Sequence, residues 1–194
     1  SDVYKRQGFS PYRSLFPPSS TYHGLEIDQQ RNYGNPNVDF WYEGKVFPLP
    51  DLSYDAVICS QVLEHAFEPE LLLSEAFRVL ESGGRLFLSV PFIWPEHEQP
   101  YDSQRFTSYG LIDRLRAAGF TDIIVHKTNP GLACLIQLAI EWVESLGRRL
   151  HWLHPKIWKL LTFLPYTFFN FVGLAYRSLP TVLKSSRHAE FFLD

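Results

Sequence analysis

Five side chains able to do chemistry crowd into the segment PEHEQPYDSQRFTSYG: Glu96, His97, Glu98, Asp102 and Arg105. His97 is the best candidate general base among them, because an unperturbed imidazole titrates near neutrality. A base or substrate contact and a loop-tethering hydrogen bond are both open to it. Arg105 carries a planar fork of donors that suits an anionic ligand, or equally an ion pair with Asp102. A second polar group follows the apolar run YDAVIC: Ser60, Gln61, Glu64 and His65 stand around Val62 and Leu63. Glu64, His65, Glu96 and His97 offer nitrogen and oxygen ligands of the kind that hold metals. Consecutive side chains in one loop rarely converge, however, and Glu64-His65 also reads as an ordinary helix-entry pair. The expectation is therefore no metal site.

The elements that must position these groups alternate between strands and helices. Residues 21–28 (TYHGLEID) read as a short strand ending in two carboxylates, and 38–42 as a second, aromatic strand. Residues 54–59 form a continuous apolar run, as in strands buried on both faces of a parallel sheet. Pro69 suits the first turn of a helix whose apolar stripe is Leu72, Leu73, Ala76, Phe77 and Leu80. Ser82-Gly83-Gly84 is expected to stop it. Residues 85–92 (RLFLSVPF) read as a fourth strand. Thr107 or Ser108 caps the next helix, Gly119 ends it, and 122–127 read as a fifth strand. Such alternation predicts parallel βαβ units and an α/β fold with a doubly wound, mostly parallel sheet.

In open α/β sheets ligands bind beyond the carboxyl ends of the strands. Here those ends carry Glu26 and Asp28, then Glu43 and Gly44, then Ser60 and Gln61, then the loop after Phe92. A parallel sheet would line all four along one rim. Glu26 is well placed to accept hydrogen bonds from both hydroxyls of a ribose; a solvated acidic turn is the other reading. Asp28 reads as solvated or as a helix cap.

The run FPLPDLSYDAVICSQVLEHAFEPELLLSEAFRVLESGGRLFLSVPF resembles the central part of a class I S-adenosylmethionine-dependent methyltransferase of the type 11 family. The resemblance covers roughly residues 8–127, and its pieces are specific as an ordered set rather than singly. It implies a Rossmann-like sheet with S-adenosyl-L-methionine as cofactor. By position, Glu26 matches the acid that holds the ribose, while Glu43 and the Gly44 amide match the adenine contacts. Ser60 and Gln61 match the rim beside the methionine part, touched mainly through backbone, and Leu63 would help wall the pocket. Tyr54 and Asp55 match the aromatic-Asp pair that opens a family strand. The loop holding His97 and Arg105 would lie over the methyl group, where the acceptor binds.

One departure from the family is large. The family's first, central strand runs into a glycine-rich D-x-G-x-G loop, and here only GFSPYR stands in that place, with Gly8 as its last glycine. The expected sheet therefore lacks its first strand, and the chain as written is expected to bind S-adenosylmethionine poorly. Methionine is absent and the opening SDVYKRQ resembles translated adapter sequence, so a fragment is expected, with residues 1–7 a non-native leader.

Composition excludes several classes. A formal charge of −3 without a long basic run disfavours nucleic acid as a partner. Two cysteines imply no disulfide framework and a reducing, cytoplasmic setting. A nicotinamide-dependent oxidoreductase or epimerase would want a Tyr-x-x-x-Lys pair or an intact G-x-G-x-x-G, and neither is present. A catalytically silent binding or membrane-associated module remains the other class. Residues 8–130 read as the core and 131–194 as an apolar helical cap or lid. Residues 132–146 read as an apolar helix. Residues 160–176 are uncharged and aromatic, but Pro165 interrupts them; with flanking Lys156, Lys159 and Arg177 they suit a lid or a peripheral membrane contact through 156–177. The final AEFFLD reads as the start of a strand. The acceptor is then a small molecule or a glycan- or lipid-linked intermediate.

Overall fold

The computed structural model describes residues 12–27, 38–127 and 132–149, with Thr167 and Phe192–Leu193. Strands β1 (Leu25–Ile27) and β2 (Phe40–Tyr42) pair in parallel, Ile27 opposite Tyr42. Strands β3 (Tyr54–Ser60), β4 (Leu80–Val90) and β5 (Phe192–Leu193) form a second parallel sheet in that order. Helix α1 (Pro69–Val79) crosses between β3 and β4, as a parallel pair requires. Helices α2 (Ser108–Ala117) and α3 (Leu132–Arg149) follow. The chain is thus α/β, built on parallel strands. Among the described residues β1 and β3 share no ladder, and their facing edges are unpaired by one another.

Side-chain packing joins the two sheets instead. Phe47, Ala76 and Val79 form a buried cluster that takes Leu25 and Tyr42 from the first sheet and Tyr54 and Val57 from the second. The His23 ring meets Phe40 at 5.3 Å and Tyr54 at 5.8 Å, and its Nδ1 lies 2.7 Å from the Tyr54 hydroxyl. The starts of β1, β2 and β3 therefore gather around one imidazole. An adjoining cluster holds Cys59, Leu63, Leu73, Leu88, Val90, Phe106, Leu111 and Leu115. Burying each large aliphatic here contributes about 1.5–3 kcal/mol.

Helix α1 ends earlier than its sequence suggests. Leu80 already has extended backbone and pairs with Tyr54, so the helix stops at Val79. The Ser82-Gly83-Gly84 stretch lies inside β4 instead, where the register jumps from Tyr54↔Leu80 to Ala56↔Arg85. Pairing with β3 outcompetes another helical turn because Leu80 is then buried in the core. Phe77, expected in the buried stripe, is exposed at the margin and stacks edge-on against Phe120 at 5.2 Å.

Residues 122–127 do not form a strand. Asp122 has φ +48°, and Ile123 and Val125 pack on the core without a ladder, only Lys127 making an isolated bridge. Apolar alternation supplies the packing face, but a strand also needs a neighbouring backbone. Helix α2 starts as expected, Thr107 Oγ1 accepting from the Gly110 amide at 3.2 Å. Helix α3 buries Ile136, Ile140 and Val143 and exposes Leu135, Trp142 and Leu146. No helix among the described residues is long and apolar enough to cross a membrane. Gly8, Asp28 and the 160–176 segment, Thr167 excepted, lie outside the described residues.

Candidate functional site

At the end of β3 the chain turns sharply. Gln61 adopts φ +53° and its amide donates to Ser89 O at 2.9 Å. The Ser60 hydroxyl is engaged on two sides, by Tyr12 OH at 3.0 Å and Ser89 Oγ at 2.9 Å. Ser60 therefore has its hydroxyl tied down, and backbone is what this corner presents. Neither Tyr12 nor Ser89 was singled out above. Ser89 was legible as the polar residue in RLFLSVPF, opposite Ser60 in register; Tyr12 carried no signal.

A short 3-10 turn, Leu63–His65, comes next. Its tight pitch sends successive side chains to different sides. Leu63 has no exposed surface and belongs to the core. It thus supports the rim from beneath and does not wall a pocket, a correction to the expected role. Glu64 and His65 turn instead toward the loop after β4.

That loop is stitched to the turn through backbone carbonyls. Glu64 O accepts from the amides of Ser103 (3.0 Å) and Gln104 (3.2 Å), and Ala66 O accepts from Gln104 Nε2 at 3.2 Å. Arg105 locks the loop internally. Its Nη1 and Nη2 donate to the two Asp102 carboxylate oxygens at 2.5 and 2.6 Å. The remaining donors reach Trp94 O, Pro95 O and Gln104 O. With its whole fork spent on the loop, Arg105 is a brace and not an anion clamp. Asp102 also accepts from the His97 amide at 3.0 Å and lies 3.0 Å from His97 Nδ1. His97 is thereby tethered, as one of its two readings required.

Glu64, His65 and His97 converge, contrary to the expectation that neighbouring side chains diverge. Each offers a ligating atom within 4.8 Å of the others, and the two imidazole rings meet edge-on at 4.9 Å. Glu64 is 0% exposed, and neither carboxylate oxygen has a hydrogen-bond partner. Burial pushes its carboxyl up to about 7; Asp102 and Glu98 add to the rise, while its own amide and Arg105 oppose it. Burial likewise pushes His65 down from its ordinary value, with Glu98 opposing.

The other strand ends lie at the first sheet. Glu26 is half-buried within β1, opposite Trp41, its Oε1 accepting from the Ile27 amide at 3.0 Å. Glu43 and Gly44 follow β2, alongside, because Ile27 and Tyr42 are register partners. Gly44 has φ +83°, and a Cβ there would stand 3.2 Å from Ile27 Cδ1. Glycine both permits this left-handed backbone and lets the turn pack closely on the Ile27 side chain. A carboxylate acceptor beside a bare backbone turn is the pairing that a ribose and an adenine need, so these residues fit S-adenosylmethionine.

Residues 22–88 match the family model described as "Methyltransferase domain". A protein of Mycolicibacterium smegmatis, named "Probable S-adenosylmethionine-dependent methyltransferase", is 35% identical over 92 residues, which are 44% of this chain and 36% of that one. A ubiquinone biosynthesis O-methyltransferase of Xanthomonas oryzae is 36% identical over 67 residues, 34% of this chain and 26% of that one. A solved SAM-dependent methyltransferase from Thermotoga maritima is 21% identical, covering 63% of this chain and 76% of its own, with a TM-score of 0.43. The chain spans about a third of the length of the curated relatives it matches. Residues 22–88 thus match a methyltransferase domain, and the relatives similar to this chain are named as S-adenosylmethionine-dependent methyltransferases.

Proposed function

We propose that the protein transfers the methyl group of S-adenosylmethionine to a small-molecule, glycan-linked or lipid-linked acceptor. The observation that carries this reading is the parallel pairing of β1 with β2, which sets Glu26, opposite Trp41, close to the Glu43-Gly44 turn that follows Tyr42. Glu26 would accept from the ribose hydroxyls, and Glu43 with the Gly44 amide would meet the adenine. Backbone at Ser60 and Gln61 would face the methionine part, the Ser60 hydroxyl being tied by Tyr12 and Ser89. The cofactor supplies an electrophilic methyl on a sulfonium that leaves as a neutral sulfide; the protein's task is alignment and exclusion of water. The braced 94–105 loop would form the acceptor side, with His97 taking the acceptor proton. Residues 8–130 would form the core and 131–194 a cap. The exposed Leu135, Trp142 and Leu146 on one side of α3 favour an apolar or lipid-linked acceptor, or a peripheral membrane contact.

The test is calorimetric titration of S-adenosylmethionine into the protein, alongside Glu26→Gln. Loss of a charged acceptor should weaken binding at least tenfold, about 1.5–3 kcal/mol. Equal affinity in the two proteins would remove Glu26 from the site.

A further inference from the structure

We propose that Glu64, His65 and His97 form a binding site for one divalent first-row transition-metal ion. The three ligating atoms lie within 4.8 Å of one another, although the residues come from two separate loops. In an occupied site with bonds of about 2.1 Å, neighbouring ligand atoms sit roughly 3.0–3.4 Å apart. The widest pair need close by no more than roughly 1.4–1.8 Å.

The surroundings are those of a built site. Glu64 is fully buried with neither oxygen hydrogen-bonded, and His65 Nδ1 is buried without a partner. A folded protein rarely leaves a buried carboxylate unsatisfied, and a cation would satisfy it. His97 Nδ1 is committed to Asp102 at 3.0 Å and to the Pro95 carbonyl at 3.2 Å, which makes Nε2 its ligating nitrogen. A histidine that donates through one nitrogen to a backbone carbonyl, here Pro95 O with the Asp102 carboxylate alongside, and ligates through the other is the recurring second layer of metal sites. Arg105 fixes that carboxylate in turn and neutralises it. Glu98 adds a further negative charge, 4.0 Å from His65 Nε2.

Two imidazoles and one carboxylate select zinc, manganese, iron(II) or cobalt over magnesium or calcium, which prefer all-oxygen shells. Three protein ligands leave at least one coordination position for an oxygen of water or substrate. With Nδ1 donating and Nε2 ligating, His97 would not take the acceptor proton in the metal-loaded protein; the open coordination position would activate an acceptor hydroxyl in its place. That use rests on the methyl-transfer reading; metal binding itself does not.

The test titrates ZnCl2, then CoCl2, into the EDTA-stripped 194-residue chain by calorimetry and visible absorption. One saturable site per chain is expected, with cobalt d–d bands, a raised melting temperature and no competition from equimolar MgCl2. His65→Ala and Glu64→Gln should each weaken zinc binding at least tenfold. X-ray absorption of the zinc-loaded parent should count two imidazole nitrogens, which keeps the assignment testable if the variants fail to fold. Absence of saturable binding, binding unchanged in folded His65→Ala, or a shell without two imidazoles would each overturn the site. Stoichiometric metal in a protein that transfers no methyl group would uphold it and count against the methyl-transfer reading.

Discussion

The carboxylate of Asp102 holds His97 at two points, the backbone amide and the ring Nδ1, both at 3.0 Å. The same side chain, 1% exposed, carries both arms of the Arg105 fork. One residue thus sets the course of the whole 94–105 loop. Asp102→Ala would strip partners from an arginine and an imidazole together. Hydrogen bonds to charged groups are worth about 1.5–3 kcal/mol, so a loss near 2 kcal/mol is expected. Urea unfolding measures it, and a loss below about 0.5 kcal/mol, the range of an ordinary surface change, would show the loop to be held some other way.

Arg78 plays the same part on the opposite side of α1. It bonds Glu75 and Asp51 and donates to the carbonyls of Phe47 and Leu49. Glu75 also accepts from the Phe47 amide at 2.7 Å. Arg78, above all, holds the Glu75 carboxyl below its ordinary value of 4.5. A depressed carboxylate stabilises the fold fully above that ordinary value, and the contribution disappears as pH falls through the folded value. Urea midpoints should therefore drop on acidification below pH 4.5 less steeply in Glu75→Gln than in the parent. Parallel slopes would mean the pair adds nothing.

Gly119 ends α2 with φ +107°, and a Cβ there would lie 2.8 Å from Phe77 Cζ. Gly119→Ala meets both a left-handed backbone and an aromatic ring, and should cost about 2 kcal/mol. Phe77→Leu in the same chain should recover the steric part alone. A double-mutant cycle with no coupling between the two positions would refute the contact.

The Cys59 thiol is pushed up to about 12, chiefly by burial and further by Glu64. Cys134 is half-buried on α3. In native protein a disulfide exchange reagent should titrate at most Cys134, with Cys59 reacting only after denaturant is added. Rapid labelling of Cys59 in the folded state, mapped by peptide mass, would place that thiol outside the core.

Much of the fold was legible because local chemistry decides it. The apolar run of β3, Pro69 at the head of α1, the Thr107 cap and Gly119 at the end of α2 each act within a few residues. The exact end of α1 was not, because Leu80 chooses between another helical turn and a strand partner supplied by Tyr54. Residues 122–127 failed as a strand for the same kind of reason: their apolar face is local, their ladder partner is not. Among the polar positions, Glu43 and Gly44 follow β2 as the local pattern indicates and Glu26 lies within β1, whereas Tyr12 over Ser60 followed from nothing in its neighbourhood.

By itself the sequence determined parallel α/β architecture and the polar strand ends, since periodicity and strand-end chemistry depend on neighbours along the chain. Only the tertiary structure decided what the polar loops do. Arg105 became a brace because Asp102 and three carbonyls surround it. Glu64 and His65 reached His97 because a tight turn and a loop stitched to its carbonyl bring distant segments within a few ångströms. Such convergence is a property of how two loops are tied together in space, and no spacing along the chain encodes it.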